Sequence, residues 1–188
     1  MRKLKLQMQV SVDGFNSTGP NDEQHWVTWA WEQIRPEVLE LLDTSDTILI
    51  GRKLAVDYIP YWEDVAANPT DPMHEVGQRI AAAKKVVFTK TLGKADWPNT
   101  ILAGDTLAEE VNRLKQQPGK DLIVYGGSEF AAALAADGLI DAFYFFMNPV
   151  AIGKGASVFQ ELADFRQLQL KRSKAYDCGI VLLHYEPA

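Results

Sequence analysis

The residues best suited to chemistry stand at the ends of short apolar runs. Leu122 to Tyr125 ends in Gly126-Gly127-Ser128, Thr47 to Ile50 ends in Gly51-Arg52-Lys53, and Lys85 to Phe88 ends in Thr89-Lys90-Thr91. Adjacent glycines at the carboxyl end of a strand let backbone amides approach a phosphate without side-chain interference, and the start of a following helix adds positive dipole character. Pyrophosphate is the natural occupant of such a turn, although strand-to-helix junctions also use glycine for conformation alone. In these positions Arg52 and Lys90 either pair with a phosphate dianion through charge-assisted hydrogen bonds or are simply solvated. Thr89 and Thr91 add hydroxyls or cap local backbone.

The carboxylates are fewer and more isolated. Asp13 precedes Gly14 after the first apolar run, where an Asx-type turn and a polar contact with a ligand are both open. Glu32 is the nearest carboxylate in the first helical segment, and one helical step decides whether it faces a ligand or water. His25, His74 and His184 lie in unrelated segments without ligand spacing, and Cys178 is the single cysteine, so no metal centre is expected. No Gly-x-Ser-x-Gly elbow exists and Ser128 has no nearby histidine, which removes hydrolase chemistry. Trp26, Trp29, Trp31, Tyr61 and Trp62 either line a pocket for a flat heterocycle or fill a core.

The elements that must position these residues alternate along the chain. Leu4, Leu6, Met8 and Val10 alternate with polar residues, predicting a first strand that feeds a long loop reaching Gln24. Trp26, Trp29, Ala30, Ile34, Val38, Leu41 and Leu42 fall at helical spacing up to Asp43, with a kink or break expected at Pro36. A helix from Arg52 is expected to end at Pro60, and Met73 to Ala83 and Thr106 to Gln117 read as helices. Thr100 to Ala103 is a brief strand. An Ala-rich helix after Ser128 leads to the apolar run Ala142 to Met147. Leu168 to Ala175 and Gly179 to Tyr185 form a hairpin joined at Tyr176-Asp177. Cys178 is expected as a small buried thiol in this last alternating strand. The pattern predicts an α/β fold: a mainly parallel sheet, helices on both faces and antiparallel C-terminal strands. Ligands of such sheets sit at strand carboxyl ends, where the GRK, TKT and GGS segments all fall.

With 188 residues and a formal net charge of -6, the chain reads as one domain, and the lack of a Lys/Arg cluster argues against a nucleic-acid or anionic-membrane partner. One cysteine, no signal-like apolar segment and no run of ~18 apolar residues predict a cytoplasmic protein.

Taken in order, Ser11-Val12-Asp13-Gly14-Phe15, Ile48-Leu49-Ile50-Gly51-Arg52, Val86 to Leu92, Ile123 to Ser128, and Gly138-Leu139-Ile140-Asp141 through Pro149-Val150-Ala151-Ile152-Gly153-Lys154-Gly155 resemble the dihydrofolate reductase-like superfamily. The resemblance is to the reductase domain of the bifunctional riboflavin-biosynthesis deaminase/reductase and its stand-alone relatives. It implies an NADPH-dependent reductase of that fold. The nicotinamide would lie near Ser11, Asp13 and Val150, the pyrophosphate near Gly126, Gly127 and Ser128, and the adenosine phosphate near Gly51, Arg52, Lys53, Thr89, Lys90 and Thr91. Two departures bear on the substrate. Leu54 stands where folate reductases carry a threonine, and Trp26 to Glu32 offers no clean match to their pterin-gripping carboxylate. The zinc motif of the deaminase half is absent.

The expected function is hydride transfer from NADPH to a small heterocycle, similar to 5-amino-6-(5-phosphoribosylamino)uracil reductase, with Asp13 and Glu32 as the candidate catalytic groups. The alternatives are a dihydrofolate reductase and a dinucleotide-binding module without turnover. The C-terminal hairpin and the apolar Phe143-Tyr144-Phe145-Phe146 run predict a homodimer.

Overall fold

The computed structural model describes residues 1–19, 22–104 and 106–188. Pro20 and Asn21, part of the expected loop before Gln24, lie outside the described residues. Eight strands form one sheet: β1 (Leu4–Ser11), β2 (Ser45–Gly51), β3 (Lys84–Phe88), β4 (Thr100–Leu102), β5 (Asp121–Val124), β6 (Ala142–Asn148), β7 (Leu168–Ala175) and β8 (Val181–Pro187). Their order is β4-β3-β2-β5-β1-β6-β8-β7. The six strands from β4 to β6 run parallel, and β8 and β7 close the sheet antiparallel. This is the expected α/β architecture.

Helices cover both faces. Leu4, Leu6, Met8, Leu49, Leu122 and Val124 pack on one side against α4 (Leu107–Gln116) and α5 (Ser128–Ala136). Ile48, Ile123 and Phe146 pack on the other against α1 (Trp31–Asp43), α2 (Arg52–Ala67) and α3 (His74–Ala82). Alternation of side chains along each strand feeds the two layers, so paired strands need apolar residues on both faces. At α4, Thr106 and Glu109 form a capping box that satisfies otherwise orphan amides.

Four local expectations are corrected. The first helix starts at Trp31, because Trp26 and Trp29 belong to a turn-rich segment held by hydrogen bonds from Val27 to Gln24 and from Ala30 to Thr28. Helix α2 runs through Pro60 to Ala67. Pro60 and the preceding-turn Val56 are both exposed, so water can serve the carbonyl that the proline leaves without a donor. The C-terminal turn spans Tyr176 to Ile180 and includes Gly179, closed by a Tyr176 amide bond to the Ile180 carbonyl. Cys178 therefore lies in this turn, half-buried, and not in a strand. Finally, Phe143, Phe145 and Phe146 are consumed by the two internal layers between β1 and β8 and form no surface patch.

Candidate functional site

Strand β2 pairs with β3 on one side, Gly51 opposite Phe88, and with β5 on the other, Leu49 opposite Val124. The GRK, TKT and GGS segments therefore leave three neighbouring strands in the same direction. They meet in a groove of about 1010 Å³ lined by Gly51, Arg52, Lys53, Thr89, Lys90, Thr91, Gly127 and Ser128, with Phe88 and Phe130 among its apolar walls. Helices α2 and α5 both start here from glycine N-caps, Gly51 and Gly127, and neither has a side-chain cap. Their first-turn amides thus face the groove without an intrahelical partner. A Cβ on Gly51 would stand 3.2 Å from Phe130 Cβ, so glycine allows the two helix starts to approach. Gly126 has a φ of 126°, a backbone region that residues with a Cβ rarely enter, and its peptide bond to Gly127 is cis.

The charge distribution in the groove suits an anion. Helix α2 opens with Arg52 and Lys53 and carries no acidic residue in its first turn, the reverse of what its dipole favours in isolation. Arg52 and Lys90 make no ion pair among the described residues, whereas Lys53 Nζ bridges to Glu129 Oε2 at 2.8 Å between two exposed side chains. Thr89 Oγ1 accepts from the amides of Thr91 and Leu92, at 3.1 and 3.0 Å, and so shapes the local turn. Amide-rich helix starts beside unpaired cations fit a dinucleotide phosphate backbone.

Next to the groove, and sharing Leu54 with it, lies a pocket of about 580 Å³ on the α1–α3 face. Its floor is β1, whose Gln7 and Gln9 point away from the α4–α5 core. Its walls are aromatic. Tyr58 stacks on Tyr125 with ring centres 5.9 Å apart and tilts against Trp62 at 6.0 Å, while Trp29 stacks on Trp31 at 5.2 Å. Trp29 and Tyr61 are 45% and 57% exposed at its mouth, a large apolar area for a soluble surface to leave open. The hydroxyls of Tyr58 and Tyr125 and the Gln7 Oε1 are buried without a hydrogen-bond partner among the described residues. Burial pushes both phenols well above their ordinary pKa, so they remain neutral donors.

The remaining predicted residues stand outside the groove. Ser11 is buried and donates to Asp13 Oδ1 at 2.5 Å while accepting from the Phe15 amide at 3.0 Å. Asp13 also accepts from the amides of Ile152 and Gly153, at 3.1 and 2.7 Å to Oδ2. These bonds, led by the one from Ser11, hold its carboxyl below the usual range. Val150 accepts from the Val12 amide at 2.9 Å, so both segments are parts of one loop-to-loop latch. Gly126 lies behind the groove, where a Cβ would meet Met8 and Leu54 at 3.6 and 3.7 Å. Glu32 is exposed on α1 and lines neither cavity.

Sequence reasoning missed Asn16 and Asn148, both buried. Asn16 Nδ2 donates to Ser128 Oγ at 2.7 Å. Asn148 Oδ1 accepts from the Thr28 amide at 2.7 Å and its Nδ2 donates to Gln9 Oε1 at 2.9 Å, fixing both the floor and the rim of the aromatic pocket. A further cavity of about 430 Å³ at the amino ends of the strands is lined by opposed charges, including Lys3, Lys5, Glu37, Arg172, His184 and Glu186. Ion pairs such as Lys3 with Glu186 and Arg172 with Glu37, at 2.7 and 2.8 Å, use up much of its charge. Among the described residues no helix is long and apolar enough to cross a membrane, and no metal-ligating cluster is present.

Comparison with known proteins agrees with the fold. The chain is 32% identical over 189 residues to YyaP of Bacillus subtilis, covering 98% of this chain and 94% of that one. It is 36% identical over 188 residues to YwjB of the same organism, covering 98% and 97%. Among solved structures, the diaminohydroxyphosphoribosylaminopyrimidine deaminase/5-amino-6-(5-phosphoribosylamino)uracil reductase of Thermotoga maritima matches with a TM-score of 0.70 and 18% identity, over 100% of this chain and 57% of that one. A pyrimidine reductase-like protein of Corynebacterium diphtheriae matches with a TM-score of 0.64 and 11% identity, over 100% and 92%. The model of the RibD C-terminal domain matches residues 2–182, and the chain belongs to that family.

Proposed function

We propose that residues 1–188 act as one NADPH-dependent reductase that transfers hydride to a small heterocyclic substrate. The observation that carries this reading is the adjacency of two unlike cavities. One is a groove with two uncapped helix starts and unpaired Arg52 and Lys90, and the other is an aromatic pocket without charge, the two meeting at Leu54. The Thermotoga relative's name, a uracil reductase, points to the same substrate class.

NADPH, when bound, supplies the hydride; the protein supplies orientation and electrostatics. The first-turn amides of α2 and α5, with Gly127 and Ser128, hold its phosphates, and Arg52 and Lys90 read the phosphate that distinguishes NADPH from NADH. Tyr58, Tyr125 and Trp62 align a planar ring by stacking and exclude water from it. Asp13, through its bonds to Ile152 and Gly153, positions the loop after β1 rather than moving a proton. With no carboxylate or histidine among the described pocket walls, the proton that completes reduction comes from solvent at the open mouth. The same reading includes a cytoplasmic homodimer, supported by Phe165 and Leu170, 82% and 48% exposed, the latter on edge strand β7.

The test is a steady-state screen of pterins, aminouracils and related heterocycles, following loss of the reduced nicotinamide absorbance, beside calorimetric titration with NADPH. Turnover of a heterocycle with NADPH binding supports the reading. Tight NADPH binding without any turnover would favour a binding module, and absence of NADPH binding would overturn both.

A further inference from the structure

Asn148 stands where β6 ends beside β1, and it is completely buried. Main-chain atoms dictate which way its amide lies. The Thr28 N–H can only donate, and it points at Oδ1 from 2.7 Å. The Phe146 carbonyl can only accept, and it lies 3.0 Å from Nδ2, with the Val10 carbonyl at 3.4 Å. Turning the amide over would set donor against donor on one side and acceptor against acceptor on the other, leaving buried groups unpaired. The orientation is therefore fixed before any ligand arrives.

That amide sets the next one. Asn148 Nδ2 also donates to Gln9 Oε1 at 2.9 Å, so the carbonyl end of Gln9 is turned toward the end of β6. Gln9 lines the aromatic pocket and is only half-buried. Its Nε2 has no hydrogen-bond partner among the described residues and, unlike the sealed Gln7 Oε1, keeps accessible surface. A free glutamine presents either end of its amide; held by Asn148, this one presents only N–H. The same asparagine holds the rim. Among the described residues the Thr28 bond is the only one joining the segment from Asp22 to Ala30 to the sheet, and the adjacent Trp29 stacks on Trp31 in the pocket wall.

From this relay, and resting on the reading of the aromatic pocket as the substrate site, we infer that Asn148 is a positioning residue that sets the polarity of the pocket floor. It touches no ligand, yet through Gln9 it requires the ligand to place an acceptor atom at that point. An N–H held opposite a carbonyl oxygen or ring nitrogen draws electron density out of the ring, which favours the arrival of a hydride. A ligand donor in the same place meets N–H against N–H.

Quinoline and indole, flat bicycles of nearly equal size, test this. Where both are neutral, quinoline offers an acceptor and no donor, and indole a donor and no acceptor. Their affinities are read by ligand-observed NMR with the wild type and with Asn148→Asp. Wild type should bind quinoline about fivefold to tenfold more tightly, the worth of one hydrogen bond. In Asn148→Asp a carboxyl oxygen faces Gln9, which turns its amino end inward and its carbonyl into the pocket, while the Thr28 amide keeps an acceptor. Preference should then pass to indole. A purely structural role would weaken both probes together and leave their ratio unchanged, and that result overturns the inference, as does equal binding of the two by wild type. Should Asn148→Asp fail to fold, Gln9→Glu decides: its carboxylate still accepts from Asn148 but puts an oxygen in the pocket, so the preference for quinoline should vanish, and its persistence counts against the relay. Calorimetric titration with NADPH keeps the two readings apart. Failure of NADPH to bind removes the reductase reading, while a probe ratio that reverses still supports the relay; failure of both probes to bind a chain that holds NADPH overturns the relay alone.

Discussion

Asn16 Nδ2 donates to Ser128 Oγ at 2.7 Å, tying the loop that follows β1 to the first residue of α5. The Asn16 Oδ1 is buried without a partner, so the amide is held through its amino end alone. The loop after β1, whose Ser17 and Gly19 line the groove, and the glycine turn at the start of α5 are therefore mechanically one unit.

Gly127 stands immediately before that contact, and a Cβ built there meets nothing within 4 Å. Gly127→Val should keep the fold yet place a branched side chain in the groove, lowering NADPH affinity on the order of tenfold or more by displacing contacts to backbone amides. Calorimetry gives the affinity and a thermal melt the fold. Wild-type affinity in a folded variant would remove the phosphates from this turn.

Arg52 and Lys90 predict cofactor choice. Replacing both by glutamine should weaken NADPH by about tenfold to a hundredfold and NADH far less, because only NADPH carries the additional dianion that charge-assisted bonds recognise. Parallel titrations with the two dinucleotides measure it. Equal losses would place the charges elsewhere.

Dihydrofolate should be a poor substrate. General acid catalysis by a positioned carboxylate typically contributes ~10²- to 10⁴-fold, and no carboxylate lines the aromatic pocket among the described residues. Glu32→Gln should leave any residual dihydrofolate turnover unchanged, since Glu32 is exposed on α1. Efficient reduction abolished by Glu32→Gln or Asp13→Asn would overturn this expectation.

His184 gives the stability a pH dependence. It stacks on Tyr144 with ring centres 4.2 Å apart, and burial lowers its pKa from 6.5, with Lys3, Arg172 and Lys171 acting the same way and Glu186 opposing. The neutral form is favoured in the folded state. Its contribution is therefore fully present above 6.5 and is lost as pH falls through the lowered folded value. The melting temperature of wild type should drop more steeply than that of His184→Gln between about pH 7 and pH 5. Parallel curves would show that His184 does not contribute.

Light scattering at micromolar concentration should report twice the 21.0 kDa chain mass. Phe165→Ser combined with Leu170→Ser should shift it to the monomer. A monomeric wild type would exclude the dimer.

The groove was legible in the sequence because its parts are local signals. Gly51-Arg52, Thr89-Lys90-Thr91 and Gly126-Gly127 each announce a strand end, and a parallel sheet brings strand ends of one direction together. The aromatic pocket was less legible, since its walls come from β1, α1, α2 and α3 and meet only through packing. The tryptophans suggested a flat ligand, yet Trp26 was grouped with them and lies outside the lining. Asn16 and Asn148 gave no signal, because an isolated asparagine reads equally as loop, cap or hub. The available clue was the alternation of β1. It reads as a half-exposed strand, but β1 is bonded on both sides and covered by helices on both faces.

That alternation gives β1 two separate kinds of tolerance. Leu4 and Leu6 face the core, Gln7 and Gln9 face the pocket, and Met8 belongs to both, so neighbouring positions answer to different demands. Change at Leu4 or Leu6 is paid in folding; change at Gln7 remodels the pocket floor, whereas change at Gln9 also frees Asn148 and the rim that it holds. A one-residue insertion would exchange the two sets at a stroke and forfeit both. The strand can therefore reshape the pocket through Gln7 within a frame whose length is locked.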